Sequence, residues 1–119
     1  MGEDAYALLF GDDEAVAYGM LRGWDEGYST PALGIAVPIA MHGRGFGRRM
    51  MEELHAEARR RGAVPVRLRV HRDNARARLL YEPMEYRYVR EERGERLMLL
   101  DLERVSGPRS RDSLTTGPP

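Results

Sequence analysis

The sequence predicts an α+β domain: a mixed, mostly antiparallel sheet with two main helices, in the order β-β-β-α-β-α-β-β. Three observations predict it. Short runs that alternate apolar and polar residues outnumber runs with helical spacing. The one long helical run, after Phe46, stands between two apolar strands, so it joins them as a parallel crossover. Strands outnumber helices over the whole chain, so a nucleotide fold of repeated βαβ units is not expected. The 119 residues correspond to one domain. We expect it to occupy residues 1–105, with residues 106–119 as a disordered tail.

Composition removes several classes of chemistry. Formal net charge is zero, with 42% hydrophobic and 32% charged residues, a soluble globular mix. All side-chain basicity is arginine, and with no lysine there is neither a Walker lysine nor a Schiff base. Cysteine is absent, which excludes disulfides, thiolate nucleophiles and cysteine metal sites. The acidic start Met1-Gly2-Glu3-Asp4 lacks the features of a signal peptide. No apolar run approaches membrane-spanning length, so a cytoplasmic protein is expected.

Tyr6 to Phe10 is a short apolar run closed by the turn residues Gly11-Asp12-Asp13. Glu14 to Gly23 reads as its hairpin partner. Val16, Tyr18 and Met20 form a bulky face, and Ala15, Ala17, Gly19 and Leu21 a smaller one. Trp24 to Pro31 is a loop with Asp25 and Glu26 between two aromatics. Leu33 to Val37 is the next strand, and its small and apolar residues suggest burial on both faces.

Phe46, Met50, Leu54 and Ala58, with Met51 beside them, give the following helix its core stripe. Arg48 with Glu52, and Arg49 with Glu53, are spaced to pair on its outer face, and Gly62 ends it. Val64 to Val70 alternates as a strand, with Pro65 near its start. Asp73 or Asn74 can cap a helix from Ala75 to Glu82, which Pro83 stops. Tyr86 to Glu91 and Arg96 to Leu102 make a second hairpin around Arg93-Gly94. Ser106 to Pro119 is rich in Ser, Thr, Gly, Pro and Arg and holds a single leucine, too little to bury.

The chemistry concentrates where the third strand ends. Gly43-Arg44-Gly45-Phe46-Gly47 follows an apolar strand and opens a helix. Glycine accepts positive φ and close backbone approach, so several N–H groups can turn toward one anion. The helix start adds unpaired donors and the positive end of its dipole. A pyrophosphate is the expected occupant.

These residues resemble the acyl-CoA loop of the GNAT N-acetyltransferase family, in which Gly45 and Gly47 fill the glycine positions. A second segment agrees: Asn74, Ala77, Leu80, Tyr81 and Glu82 match the family's Asn-x-x-Ala-x-x-Leu-Tyr-Glu helix. Met98 to Leu102 is similar to its last strand, and the similarity runs from the first hairpin to Leu102. His42 stands where the family has Gln or Arg, and Glu85-Tyr86 where it commonly has Gly-Phe. The family's first strand and the two helices after it, which usually build part of the acceptor pocket, have no counterpart in this sequence.

The resemblance implies an acyl-CoA N-acyltransferase-like fold and transfer of acetyl from acetyl-CoA, as co-substrate, to a primary amine of a small molecule or amino sugar. Backbone groups of Ile35, Ala36 and Val37 would pair with pantetheine like another strand, with Pro38 where the sheet splays. The N–H groups of Gly43, Arg44, Gly45, Phe46, Gly47 and Arg48 would hold the pyrophosphate. Arg44 or Arg48 would add charge-assisted bonds, and His42 would be a weaker phosphate contact. Asn74 would bond the pantetheine arm or the loop, while capping its helix.

Tyr81 is the candidate general acid, able to protonate the leaving thiolate; without the resemblance it reads as a core tyrosine. For the general base, Glu26 is chosen over Asp25, Glu14 and a water chain. No metal is expected, because His42 has no second ligand at suitable spacing. The Arg-rich segment from Arg67 to Arg78 lacks interleaved aromatics, and with zero net charge no nucleic-acid or membrane partner is expected. The alternative to an active enzyme is a catalytically impaired CoA-binding or interaction module. The sheet edge left open at the front predicts a homodimer.

Overall fold

The computed structural model describes residues 4–23 and 30–103. In chain order these form β1 (Ala5–Gly11), β2 (Glu14–Arg22), β3 (Ala32–Ala36), α1 (Phe46–Arg60), β4 (Pro65–His71), α2 (Ala75–Tyr81), β5 (Arg87–Glu92) and β6 (Glu95–Asp101). Single 3-10 turns occur at Ile39–Met41 and Glu82–Met84. The mixed α+β class and the element order are those expected. The loop carrying Glu26 and the tail from Ser106 lie outside the described residues.

The six strands form one sheet in the order β1-β2-β3-β4-β6-β5. Only β3 and β4 are parallel; each other neighbouring pair is antiparallel. Both hairpins close through two-residue turns. Asp12 and Asp13 have φ of 49° and 73°, and Arg93 and Gly94 have 55° and 81°. Positive φ at both central residues is the type I′ turn, whose twist suits paired strands. Aspartate enters this region more readily than most residues. The tight second turn lets β6 begin at Glu95, one residue before the expected start.

The core lies between α1 and one face of the sheet. Met50, Met51, Leu54 and Ala58 meet Ala17 and Leu21 of β2, Leu33 of β3, and Val66, Leu68 and Val70 of β4. The small face of β2 is the one that receives the helix. A Cβ added at Gly19 would come within 2.7 Å of Met50 Sδ and 2.8 Å of Leu54 Cδ1, so α1 rides closer to the sheet than a larger residue would permit. Arg48 pairs with Glu52 at 3.2 Å as the spacing predicts. The second expected pair, Arg49 with Glu53, does not form; Glu57 instead pairs with Arg60 and Arg61 near the helix end.

The opposite face carries no second layer among the described residues. This corrects the expectation that β3 is buried on both sides. Leu33 is buried toward α1, whereas Ala36 is exposed. Small residues at Ala32, Gly34 and Ala36 read as buried in sequence, yet they lie on the uncovered face. Among the described residues β1 forms an open edge, with Tyr6, Leu8 and Phe10 exposed and Ala5, Ala7 and Leu9 packed against the core. No helix among the described residues is long and apolar enough to cross a membrane.

Candidate active site

The site begins where two strands part. β4 pairs with β6 along its whole length, from Pro65 to His71. It pairs with β3 only at Ala32↔Arg67, beside a bond from the Arg67 N–H to the Pro31 carbonyl at 3.0 Å. Beyond that point the edge of β3 facing β4 carries no ladder. Pro38, with no N–H of its own, starts the 3-10 turn that leads the chain away.

The glycine loop continues from that turn. Gly43 and Gly45 have φ of +79° and +85°, the left-handed region where a side chain is strained. Gly45 is the N-cap of α1 and supplies no side-chain cap. The first bond into the helix runs from the Arg49 N–H to the Gly45 carbonyl, at 3.1 Å. The N–H groups of Gly43, Arg44, Gly45, Phe46, Gly47 and Arg48 therefore have no protein acceptor among the described residues. Gly47 serves the packing instead. A Cβ there would stand 3.2 Å from Leu80 Cδ2, so its absence lets α2 approach the head of α1.

A cleft of about 420 Å³ lies between the loop, the end of β3 and the start of α2. It brings together Ile35, Val37, His42, Gly43, Gly45 and Phe46 with Gly47, Arg48 and Asn74 across the fold. Three expected residues do not line it. Ala36 sits on the exposed face of β3, Arg44 points outward in the loop, and Tyr81 is buried at the end of α2.

His42 also braces the turn. Its Nε2–H donates to the Val37 carbonyl at 2.9 Å, which fixes the proton on Nε2 because a carbonyl can only accept. Asn74 caps α2, its Oδ1 accepting from the Ala77 N–H at 3.0 Å. That bond leaves the amide NH₂ of Asn74 free to donate at the cleft wall.

Arg76 is a lining residue that sequence reasoning missed. It is exposed and has no ion-pair partner among the described residues. In sequence it belongs to an arginine-rich stretch that the fold divides. Arg69 pairs with Glu92 and Arg72 with Glu91, both at 2.9 Å, and Arg78 pairs with Glu82 at 3.1 Å. No continuous basic face results.

Behind the cleft stands a cluster of rings. Tyr81 is 3% exposed, and its hydroxyl has no hydrogen-bond partner among the described residues. Burial raises its phenol above the usual value, and Glu82 adds to this while Arg96 and Arg78 oppose it. The Tyr86 ring meets Tyr81 edge-on, with centroids 5.9 Å apart at 71°. Tyr86 is hydrogen-bonded to His55 of α1 at 2.8 Å. Burial, then the charge of Arg59, lowers the His55 pKa from 6.5 to about 4. The imidazole is thus neutral at pH 7, and the Tyr86 O–H donates to its Nε2. Sequence reasoning missed His55, although it follows Leu54 and stands four residues after Met51 on the core stripe.

Glu26, Asp25 and the aromatics around them lie outside the described residues, so the structure does not place the expected base. Glu14 is exposed at the far end of β2. Among the described residues no group of three His, Cys, Asp or Glu is placed to hold a metal ion.

A splayed β3–β4 pair with a glycine loop at the head of the crossover helix defines an acyl-CoA N-acyltransferase-like protein. The chain belongs to the acetyltransferase (GNAT) family, whose model matches residues 2–86. No curated protein sequence matches it. Among solved structures it is similar to the PaiA N-acetyltransferase of Thermoplasma acidophilum in complex with coenzyme A, at TM-score 0.75 and 15% identity, covering 82% of this chain and 60% of that one. It is similar to a putative acetyltransferase of Salmonella typhimurium with its cofactor acetyl-CoA, at TM-score 0.67 and 22% identity, covering 82% and 64%. A third is the ribosomal-protein-S18-alanine N-acetyltransferase of Escherichia coli, at TM-score 0.72 and 24% identity, covering 86% and 72%. The chain thus spans roughly two thirds of the length of such relatives.

The buried imidazole sets a stability prediction. His55 is neutral in the fold down to about pH 4, whereas the unfolded chain takes up this proton near 6.5. Its contribution is fully present above pH 6.5 and is lost as pH falls to about 4, by roughly 3 kcal/mol. Urea unfolding across that range should show the fall, and His55→Phe should flatten it. An equally steep fall in the variant would assign the effect to other groups.

Proposed function

We propose that the protein binds acetyl-CoA in this cleft and transfers its acetyl group to a primary amine of a small molecule or amino sugar. The observation that carries the reading is the run of unpaired backbone donors from Gly43 to Arg48 at the head of α1. Fixed N–H groups and a helix N-terminus hold a pyrophosphate without rearranging. Arg48 and Arg76, on facing walls, add charge; Arg44 can close over the loop from outside. The free edge of β3 gives pantetheine backbone partners at Ile35, Ala36 and Val37. The Asn74 amide can bond the same arm. The coenzyme complexes of the two relatives named above support this assignment.

In the proposed reaction the amine nitrogen bonds to the acetyl carbon and the C–S bond breaks. Tyr81 gives its phenol proton to the departing thiolate. A phenol holds its proton at neutral pH, burial raises its pKa further, and the hydroxyl without a protein acceptor among the described residues is free to donate. Glu26 remains the proposed acceptor of the ammonium proton; Glu26→Gln with an unchanged pH–rate profile would remove it. A cytoplasmic location stays part of the proposal. So does a homodimer through β1. That edge presents Tyr6 to Phe10 without a charge, while the opposite edge strand β5 carries Arg87, Arg90 and Glu91. Sedimentation that stays monomeric at every concentration would contradict the dimer.

Acetyl-CoA should raise the thermal midpoint, because a ligand bound only by the folded state stabilises it. With hydroxylamine as acceptor, a nucleophile neutral at pH 7 that needs no base, thiol release should exceed the uncatalysed rate. Tyr81→Phe should lower turnover by about 10²-fold with acetyl-CoA binding nearly unchanged. Stabilisation without thiol release would favour the impaired CoA-binding module. Full turnover in the variant would remove Tyr81 as the acid.

A further inference from the structure

Tyr86 and His55 are buried polar groups that the proposed reaction does not use. They come from distant parts of the chain, with His55 on α1 and Tyr86 between α2 and β5. Tyr86 is 8% and His55 6% exposed. Each has the other as its one hydrogen-bond partner among the described residues, at 2.8 Å, and their rings lie 5.7 Å apart. An apolar pair would fill such a space without the cost of burying two polar groups. What the polar pair adds is direction, since a hydrogen bond fixes where a ring points more sharply than packing does.

The direction bears on Tyr81. The Tyr86 ring meets Tyr81 edge to face at 71°, an arrangement favoured by the ring quadrupoles. α1 carries the unpaired donors of the loop at its head and His55 about 14 Å further along, at ~1.5 Å per residue. One rigid helix therefore ties the anion-binding end of the site to the ring that backs Tyr81.

We infer that the Tyr86–His55 hydrogen bond is a positioning device for Tyr81, holding its phenol in register with the thioester that the loop anchors. This rests on Tyr81 being the general acid. Tyr86 and His55 touch neither co-substrate nor amine in this account; they act through the Tyr81 ring.

The test compares kcat and the KM for acetyl-CoA, with hydroxylamine as acceptor, in five proteins: wild type, Tyr86→Phe, Tyr86→Phe with His55→Phe, Tyr81→Phe, and Tyr81→Phe with Tyr86→Phe. Tyr86→Phe keeps the ring and loses the bond, so kcat should fall by about fivefold at unchanged KM, as misplacement of a catalytic group does. Removing both polar partners should return the thermal midpoint toward wild type, because neither group is left unpaired; kcat should stay low. In the Tyr81→Phe background, Tyr86→Phe should cause no further loss, since the two act as one unit.

Undiminished kcat in Tyr86→Phe overturns the inference. So does a kcat that recovers together with the midpoint in the doubly apolar variant, the mark of a merely structural pair. A loss that multiplies with that of Tyr81→Phe overturns it too, while leaving the acid role of Tyr81 standing. Undiminished turnover in Tyr81→Phe alone overturns the acid role, and with it the positioning of that acid.

Discussion

β4 is zipped to β6 from Pro65 to His71 but is laddered to β3 at a single residue pair, and the architecture of the cleft depends on that inequality. A strand in mid-sheet normally satisfies its backbone on both sides. Here the parting at Ala32 leaves the β3 edge open, and the chain that leaves β3 turns across the gap before entering α1. The glycines then become a necessity of geometry. Only positive φ at Gly43 and Gly45 brings the chain around to start the helix beside the open edge. The loop, the first helical turn and the end of β3 consequently line one cleft. One departure from regular pairing leaves both the open β3 edge and the unpaired donors on which the proposed coenzyme site rests.

The second wall is built with different means. α2 is short; Asn74 caps its start, and Leu80 packs under Gly47 at the head of α1. That contact puts Arg76 at the cleft and turns Tyr81 inward. The polar groups of the two walls differ accordingly. The loop offers fixed backbone dipoles suited to a permanent charge. Tyr81, the proposed acid, would offer a phenol proton, suited to a charge that appears only as a bond breaks.

Much of this was legible in the residues themselves. The hairpins announced themselves through period-two alternation and through Asp12-Asp13 and Arg93-Gly94, because turn chemistry is local. The glycine loop was legible because Gly43 and Gly45 have a backbone reason to be there. What escaped was non-local. The Tyr86–His55 bond joins positions 31 apart, and nothing near either residue points to the other. Arg76 looked like one of many arginines until the fold sent Arg69, Arg72 and Arg78 to other partners. The burial of β3 was misjudged because Ala32, Gly34 and Ala36 are small, and small residues serve an uncovered face as well as a packed one. The acceptor side was the least legible, since its proposed base belongs to a stretch of sequence with no pattern beyond composition.

The central claim, that the backbone from Gly43 to Arg48 is the phosphate seat, is tested most directly by amide NMR. Coenzyme A added to the isotopically labelled protein should shift the amide resonances of Gly43 to Arg48 and of the free β3 edge. Their hydrogen exchange should slow as the bare N–H groups gain acceptors. Resonances of β5 and of the β1–β2 turn should stay in place. Binding of coenzyme A that leaves the Gly43 to Arg48 amides unmoved, with changes centred elsewhere on the sheet, would contradict the account.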